Sequence, residues 1–364
     1  MKTLIVSLIV ALYLITPAYA EDMDEYAQAS GIYAVEDSLD EDAKKISGRF
    51  YPDGSYDTDG ALSRLIGSIK AEVRQELSLN MSYVSGLLAV TILYTLSNSL
   101  CSSESIKKYI NLACCGAAAM VMLNGVQSLT EQTVDALNTL SDYSKAVLPA
   151  LYTVAAASGA VSSSAAKYAA ASLSISVLMN AAQKLIIPCV YAFVAASVSS
   201  SLFFNSILSS MAKFCKWAAT TVMTALTLAF STYIGMTGLV TGSVDAAAVK
   251  TAKTVISTTL PVVGGIISDS ASTVLSAAGV IKSSAGVFCL IAVCAVCAGP
   301  FAALSVKMLS FKVVSAISDT VPNGRLSALI GDIGSAMGLL LGLLGSCGIM
   351  LFVSVMAGMK VVAL

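Results

Sequence analysis

The sequence contains no histidine, only 12% charged residues and a single tryptophan. Without imidazole there is no Ser-His-Asp or Cys-His catalytic arrangement, and no metal site that needs a histidine ligand. Soluble domains carry about 25% charged residues to cover their wet surface. A chain at half that level, 56% hydrophobic and with a strongly positive mean hydropathy, reads as an integral membrane protein. Cysteine is absent before position 101, and all nine cysteines lie in or beside apolar segments, so no disulfide framework is legible. Cys289, Cys294 and Cys297 stand close together in FCLIAVCAVC. No second thiol pair completes a metal site there, and the three read as small packing residues on a lipid-embedded helix. No cofactor is expected. No basic run is long enough to track a nucleic-acid backbone, and no phosphate loop or nucleophile motif is present, so the chain does not read as an enzyme.

Charge is present but polarised. Residues 21–80 hold fourteen acidic and six basic side chains; from 81 onward there are eight acidic and fourteen basic ones. Ahead of the acidic stretch, MKTLIVSLIVALYLITPAYA has a basic start, a short apolar core and Ala18-Tyr19-Ala20. That is the pattern of a cleavable signal peptide over 1–20, which places the acidic stretch outside the cytoplasm. Residues 21–60 are acidic and lack apolar periodicity, which predicts a loosely ordered extracytoplasmic leader. Over 61–80, Leu62, Leu65, Ile66, Ile69, Val73 and Leu77 recur at helical spacing, with Arg64, Lys70 and Arg74 on the other face. This predicts an amphipathic helix lying on the membrane or on a partner.

Apolar stretches long enough to span a bilayer fall near 82–101, 109–128, 185–206, 217–240, 284–305 and 333–359. The segments 147–183 and 258–281 are apolar but interrupted by Pro, Gly and Ser. The fold class is therefore all-α and polytopic, with about six to eight membrane helices. Lys107 and Lys108, Lys213 and Lys216, then Lys307, Lys312 and Arg325 mark the cytoplasmic side; residues 129–146, with Glu131, Asp135 and Asp142, are expected as an external loop.

Pro149 and Pro261 are 112 positions apart, as are Pro188 and Pro300. Val-Asp-Ala stands upstream of both Leu-Pro steps, at 134–136 and 244–246, and a basic cluster and a long span lie downstream in each case. A first membrane hairpin over 81–129 would thus precede two parallel repeats, 130–240 and 241–364. The Leu-Pro segments, LPALYTVAAASGAVSSSAAK and LPVVGGIISDSASTVLSAAG, then fit re-entrant or broken helices, with Gly264 and Gly265 supplying a turn; a single imperfect span is the alternative. In the last span Gly331, Gly334, Gly338, Gly342, Gly345 and Gly348 share about a third of the helix circumference, which predicts close helix packing.

Ionisable residues inside spans are costly and become functional candidates. Asp269, Asp332, Lys184 and Lys282 are the ones here. They could line an ion or substrate path between the repeats, or sit at interface turns with the lysines reaching the membrane surface. Neither aspartate has an acidic or cysteine partner nearby in sequence, which favours the structural reading.

LPVVGGIISDSASTVLSAAGVIK at 260–282, the signal peptide, the apolar span after 282 and FKVVSAISD at 311–319 resemble the stage III sporulation protein AE family of endospore-forming bacteria, over roughly 80–360. The resemblance implies a polytopic component of a channel or secretion complex linking mother cell and forespore, needed after engulfment. It also implies a place in the mother-cell membrane around the forespore. Implied partners are other membrane proteins of the stage III sporulation operon, a secretion-type ATPase, a forespore-membrane partner and further copies of this chain, besides membrane lipids. A secondary transporter with a solute path between the repeats is the alternative reading of the same sequence.

Overall fold

The computed structural model describes residues 32–49, 56–101, 103–157, 161–203, 205–236, 284–319 and 324–362. Among these the chain is helical, with no strand. The helices are α1 (Ile32–Asp37), α2 (Glu41–Ser47), α3 (Thr58–Leu100), α4 (Glu104–Ala157), α5 (Val161–Ala181), α6 (Ile187–Phe203), α7 (Ser206–Met236), α8 (Ser284–Ser318) and α9 (Arg325–Val362), with a π-helical turn, Ala182–Ile186, joining α5 to α6. Five stretches are long and apolar enough to cross a membrane: Thr58–Leu100, Ser105–Tyr152, Ala171–Phe203, Gly286–Ser318 and Arg325–Ala357. The expected spans 82–101, 109–128, 185–206, 284–305 and 333–359 fall on these five. The expected span 217–240 falls on α7 and runs past the described residues. The signal peptide and the 258–281 segment, with Pro261, Gly264, Gly265 and Asp269, lie outside the described residues, as does Lys282.

Helix starts are fixed by side chains. Asp40 accepts the Ala43 N–H at 2.9 Å at the head of α2, and Asp57 Oδ1 accepts the Gly60 N–H at 2.9 Å at the head of α3. Gly48, at φ 73°, ends α2 in the left-handed region, and its N–H bonds back to the Lys44 carbonyl. The many hydroxyls do not break the long helices because they turn back on their own backbone. Thr91, Thr130, Thr133, Thr227, Ser346 and Ser354 each donate to the carbonyl four residues earlier, at 2.6–2.9 Å. A hydroxyl satisfied in this way can be buried without an unpaired group.

α9 is the central helix: 83% of its most apolar stretch is buried, against 22% for α3. Its most extensive partner is α8, and the two run antiparallel, as the pairings Gly331–Ser315, Gly338–Met308, Gly345–Phe301 and Gly348–Cys297 show. α3 runs parallel to α8, since Asn80 meets Ser310 and Thr91 meets Ser318. One end of the bundle therefore gathers Arg325, Lys312, Lys213 and Lys216, and the other the acidic helices α1 and α2.

Several expectations are corrected. The helix expected over 61–80 is not a separate interfacial element but the first half of the 43-residue α3. Nothing between it and the first span breaks a helix, so the two fuse. Residues 129–146 are not a loop but part of the 54-residue α4, which also passes through Pro149; the expected boundary at 129/130 thus falls inside a helix. Leu148, Leu151 and Tyr152 around that proline are buried, and Tyr152 Oη donates to the Ser354 carbonyl of α9 at 3.4 Å, so packing offsets the lost backbone bond. Pro188 comes directly after the π-helical turn, where Ile187 N–H bonds to Ala182 O. The widened turn leaves room for a ring that has no N–H to give. Pro300 lies inside α8, which continues through it. Residues 32–49 of the leader are not loosely ordered: Val35, Leu39 and Ala43 are buried in the same apolar cluster as α4, α8 and α9. Tyr56 stacks edge-on against Phe288 of α8, with ring centroids 5.5 Å apart, and its hydroxyl donates to the Ser47 carbonyl at 2.5 Å.

Candidate functional site

Two polar features interrupt an otherwise apolar interior. The first is a cavity of about 320 Å³ at the basic end, lined by Ser197, Ser200 and Ser201 of α6, Asn205, Ser206, Ser209 and Ala212 at the start of α7, and Arg325, Ala328 and Asp332 of α9. The chain builds it at a tight α6–α7 corner. Asn205 Oδ1 accepts the Ile207 N–H at 2.9 Å, the Asn205 carbonyl accepts the Ser209 N–H at 3.3 Å, and Ser200 Oγ donates to that same carbonyl at 3.3 Å. The Ser201 carbonyl is held from α4 by Asn111 Nδ2 at 3.1 Å. Asp332 therefore does not stand alone in the last span. Its carboxylate lies beside the Ser197 hydroxyl and within electrostatic reach of Lys216, Lys312 and Lys213. Ser197 is 2% exposed, and its Oγ makes no hydrogen bond of ordinary geometry. Lys216 Nζ sits 5.8 Å from the Phe193 ring centroid, and Lys312 Nζ donates to Ser335 Oγ at 3.2 Å. One of the four charged candidates from the sequence, Asp332, thus lies in a built polar site.

The second feature was not foreseen. Lys307, expected at the cytoplasmic surface, is 6% exposed and buried between α3, α4 and α8. Its Nζ stands 4.0 Å from the Tyr83 ring centroid, and a Cβ on Gly125 of α4 would lie 3.4 Å from it. Next to it Asn80 Nδ2 donates to Ser310 Oγ at 2.5 Å, while Asn80 Oδ1 is buried without a hydrogen-bond partner. Nothing in the sequence separates Lys307 from Lys312, five residues further along α8; only the placement of Tyr83 does.

Lys184 is elsewhere, exposed in the π-helical turn; the adjoining Gln183 Nε2 donates to Asn138 Oδ1 of α4 at 2.7 Å. Gly334, Gly338 and Gly345 face α8: an added Cβ would lie 3.2 Å from Phe311 Cβ, 3.2 Å from Met308 Sδ and 3.5 Å from Phe301, respectively. Gly342 is buried, and its carbonyl accepts the Ser346 hydroxyl. Cys289 is buried, with its carbonyl accepting Tyr143 Oη at 3.0 Å. Cys294 and Cys297 line an apolar groove of about 510 Å³ with Ile69, Val73, Phe301 and Phe352. Among the described residues no group of three or more Cys, Asp or Glu could hold a metal ion.

A family model described as stage III sporulation protein AE matches residues 50–361. No curated protein and no solved structure matches the chain.

Proposed function

The chain belongs to the stage III sporulation protein AE family, and from that premise we propose that it is a polytopic membrane component of a channel or secretion complex linking mother cell and forespore, required for forespore development after engulfment. The family match over most of the chain is the observation that carries this reading. The architecture is compatible with it: five apolar helices, one of them buried at the centre, and an acidic cap folded onto one end. In this reading the cap faces the space between the two membranes and meets a forespore-membrane partner there. The basic end faces the mother-cell cytoplasm, where the other operon-encoded membrane proteins and a secretion-type ATPase would meet it. α6–α7 and α8–α9 would be the corresponding hairpins of two parallel repeats, each with a proline-bearing helix, a basic turn and a return helix.

The deciding experiment is deletion of the gene in its own host, with engulfed forespores tracked by fluorescence microscopy. Forespores that engulf normally and then shrink and stall are the expected outcome. Normal spores at normal yield would remove the proposal.

A further inference from the structure

We propose that the apolar groove between α3, α8 and α9 is the docking site for residues 258–281 of this chain, the stretch ahead of α8 that lies outside the described residues. The groove measures about 510 Å³. Ile69 and Val73 of α3 line it on one side, and Cys294 and Cys297 of α8 with Gly345 and Gly348 of α9 on the other. Small residues of this kind let a chain come close to the backbone.

Three observations single out the occupant. The first is where the chain leads. α8 begins at Ser284, at the cap end, where Tyr56 meets Phe288. α7 heads for the same end, because it leaves the corner at the basic end and folds back along α6, with Lys216 over Phe193. The 47 residues from 237 to 283 therefore leave and rejoin the bundle on one side. The groove covers α8 from Val293 to Ser305, 9 to 21 positions after Ser284. A chain doubling back along α8 brings Asp269, 15 positions before Ser284, to the middle of it. Being tethered to α8, this segment reaches the groove at a high effective concentration, an advantage no separate molecule has.

The second observation is polarity. Residues 258–281 are apolar or small, and Asp269 is their single charge, which suits an apolar groove with small residues on its walls. The third is charge. Lys70 and Arg74 follow Ile69 and Val73 by one residue and are exposed on the adjoining face of α3. They offer a counter-charge to Asp269, which would be costly to bury against apolar surface alone. The same two cations make lipid chains a poor cover for this side of α3.

The test uses the full chain in mild detergent, with one cysteine introduced at a time by Ser268→Cys, Ser270→Cys, Ala271→Cys or Ser272→Cys, and oxidation by copper phenanthroline. Peptide mass spectrometry should find a disulfide within one chain from at least one of these positions to Cys294 or Cys297. Ser128→Cys, on the exposed face of α4, should give none. Asp269→Lys should slow the crosslink about two- to fivefold, the worth of an exposed ion pair, and adding Lys70→Glu and Arg74→Glu should restore its rate. No crosslink from any of the four positions would overturn the proposal. Disulfides formed only between two chains would overturn it as well, and would assign the groove to a second copy.

Discussion

The contact between α8 and α9 predicts a graded response to side chains at the glycines of α9. Gly334 is the position whose neighbours can least give way: a Cβ there would lie 3.2 Å from Phe311 Cβ and 3.6 Å from both Lys312 N and Met308 O, so backbone stands in the way. At Gly338 the nearest atom is the Met308 sulfur, at 3.2 Å, the far part of a flexible side chain. At Gly67 of α3 nothing lies within 4 Å. An alanine in mid-helix gains about 0.5–1 kcal/mol over glycine, while overfilling a packed contact costs about 1–3 kcal/mol. Gly67→Ala should therefore stabilise by up to about 1 kcal/mol, Gly338→Ala should be near neutral, and Gly334→Ala should destabilise by about 1–2 kcal/mol. Gly334→Leu cannot be absorbed without parting the two helices, and should prevent accumulation of folded protein. Detergent-solubilised protein, monitored by size-exclusion profile and thermal melting of its helical signal, measures the series. If Gly334→Leu and Gly67→Leu accumulate and melt alike, the account of α8–α9 packing is wrong.

Three further outcomes rest on single contacts. Lys307→Met should be close to neutral in stability, because an apolar replacement removes a buried charge along with its attraction to the ring, whereas Tyr83→Leu leaves the ammonium without that ring and should cost about 1–2 kcal/mol; a Lys307→Met protein that fails to fold would overturn this reading. Tyr143→Phe removes the buried bond to the Cys289 carbonyl and should cost about 1 kcal/mol, read as a lowered melting temperature in the same assay. Burial raises the Tyr56 hydroxyl above its ordinary pKa of 10.0, so its neutral form is the one the fold favours. The stability it lends is fully present below pH 10 and is lost as pH climbs above that value. Tyr56→Phe should flatten the alkaline decline of the melting temperature, and an unchanged decline would assign the loss to other groups.

The parts of this structure that composition and spacing determine were legible. Scarcity of charge requires lipid around the chain, and runs of apolar residues locate the spans. Glycines at helical spacing define a face, and α8 lies against it. What was not legible depends on contacts remote in sequence. Ser197 and Asp332 come together only because α6 and α9 meet at the same end. Lys307 looks like any basic residue after a span until Tyr83 is placed opposite it. The head was misread for a different reason: Val35, Leu39 and Ala43 do recur at helical spacing, but three small apolar residues in an acidic stretch signal a core only when α4 and α8 supply the rest. Pro149 and the polar residues of 129–146 suggested a break, yet tertiary packing carried the helix through.

At about 1.5 Å per residue, α3 is about 65 Å long and α4 about 81 Å, against about 30 Å of hydrocarbon. They are antiparallel neighbours joined at the basic end, so the surplus of both emerges together on the side of the acidic cap. The 23 residues from Thr58 to Asn80 alone measure about 34 Å. The cap is tied to α8 as well, through Tyr56 on Phe288, so the lengths of α3, α4 and α8 on that side have to match. Two turns added to α3 and α4 alone would lengthen each by about 11 Å and draw the cap off Phe288, so a change in reach has to be made in α8 as well.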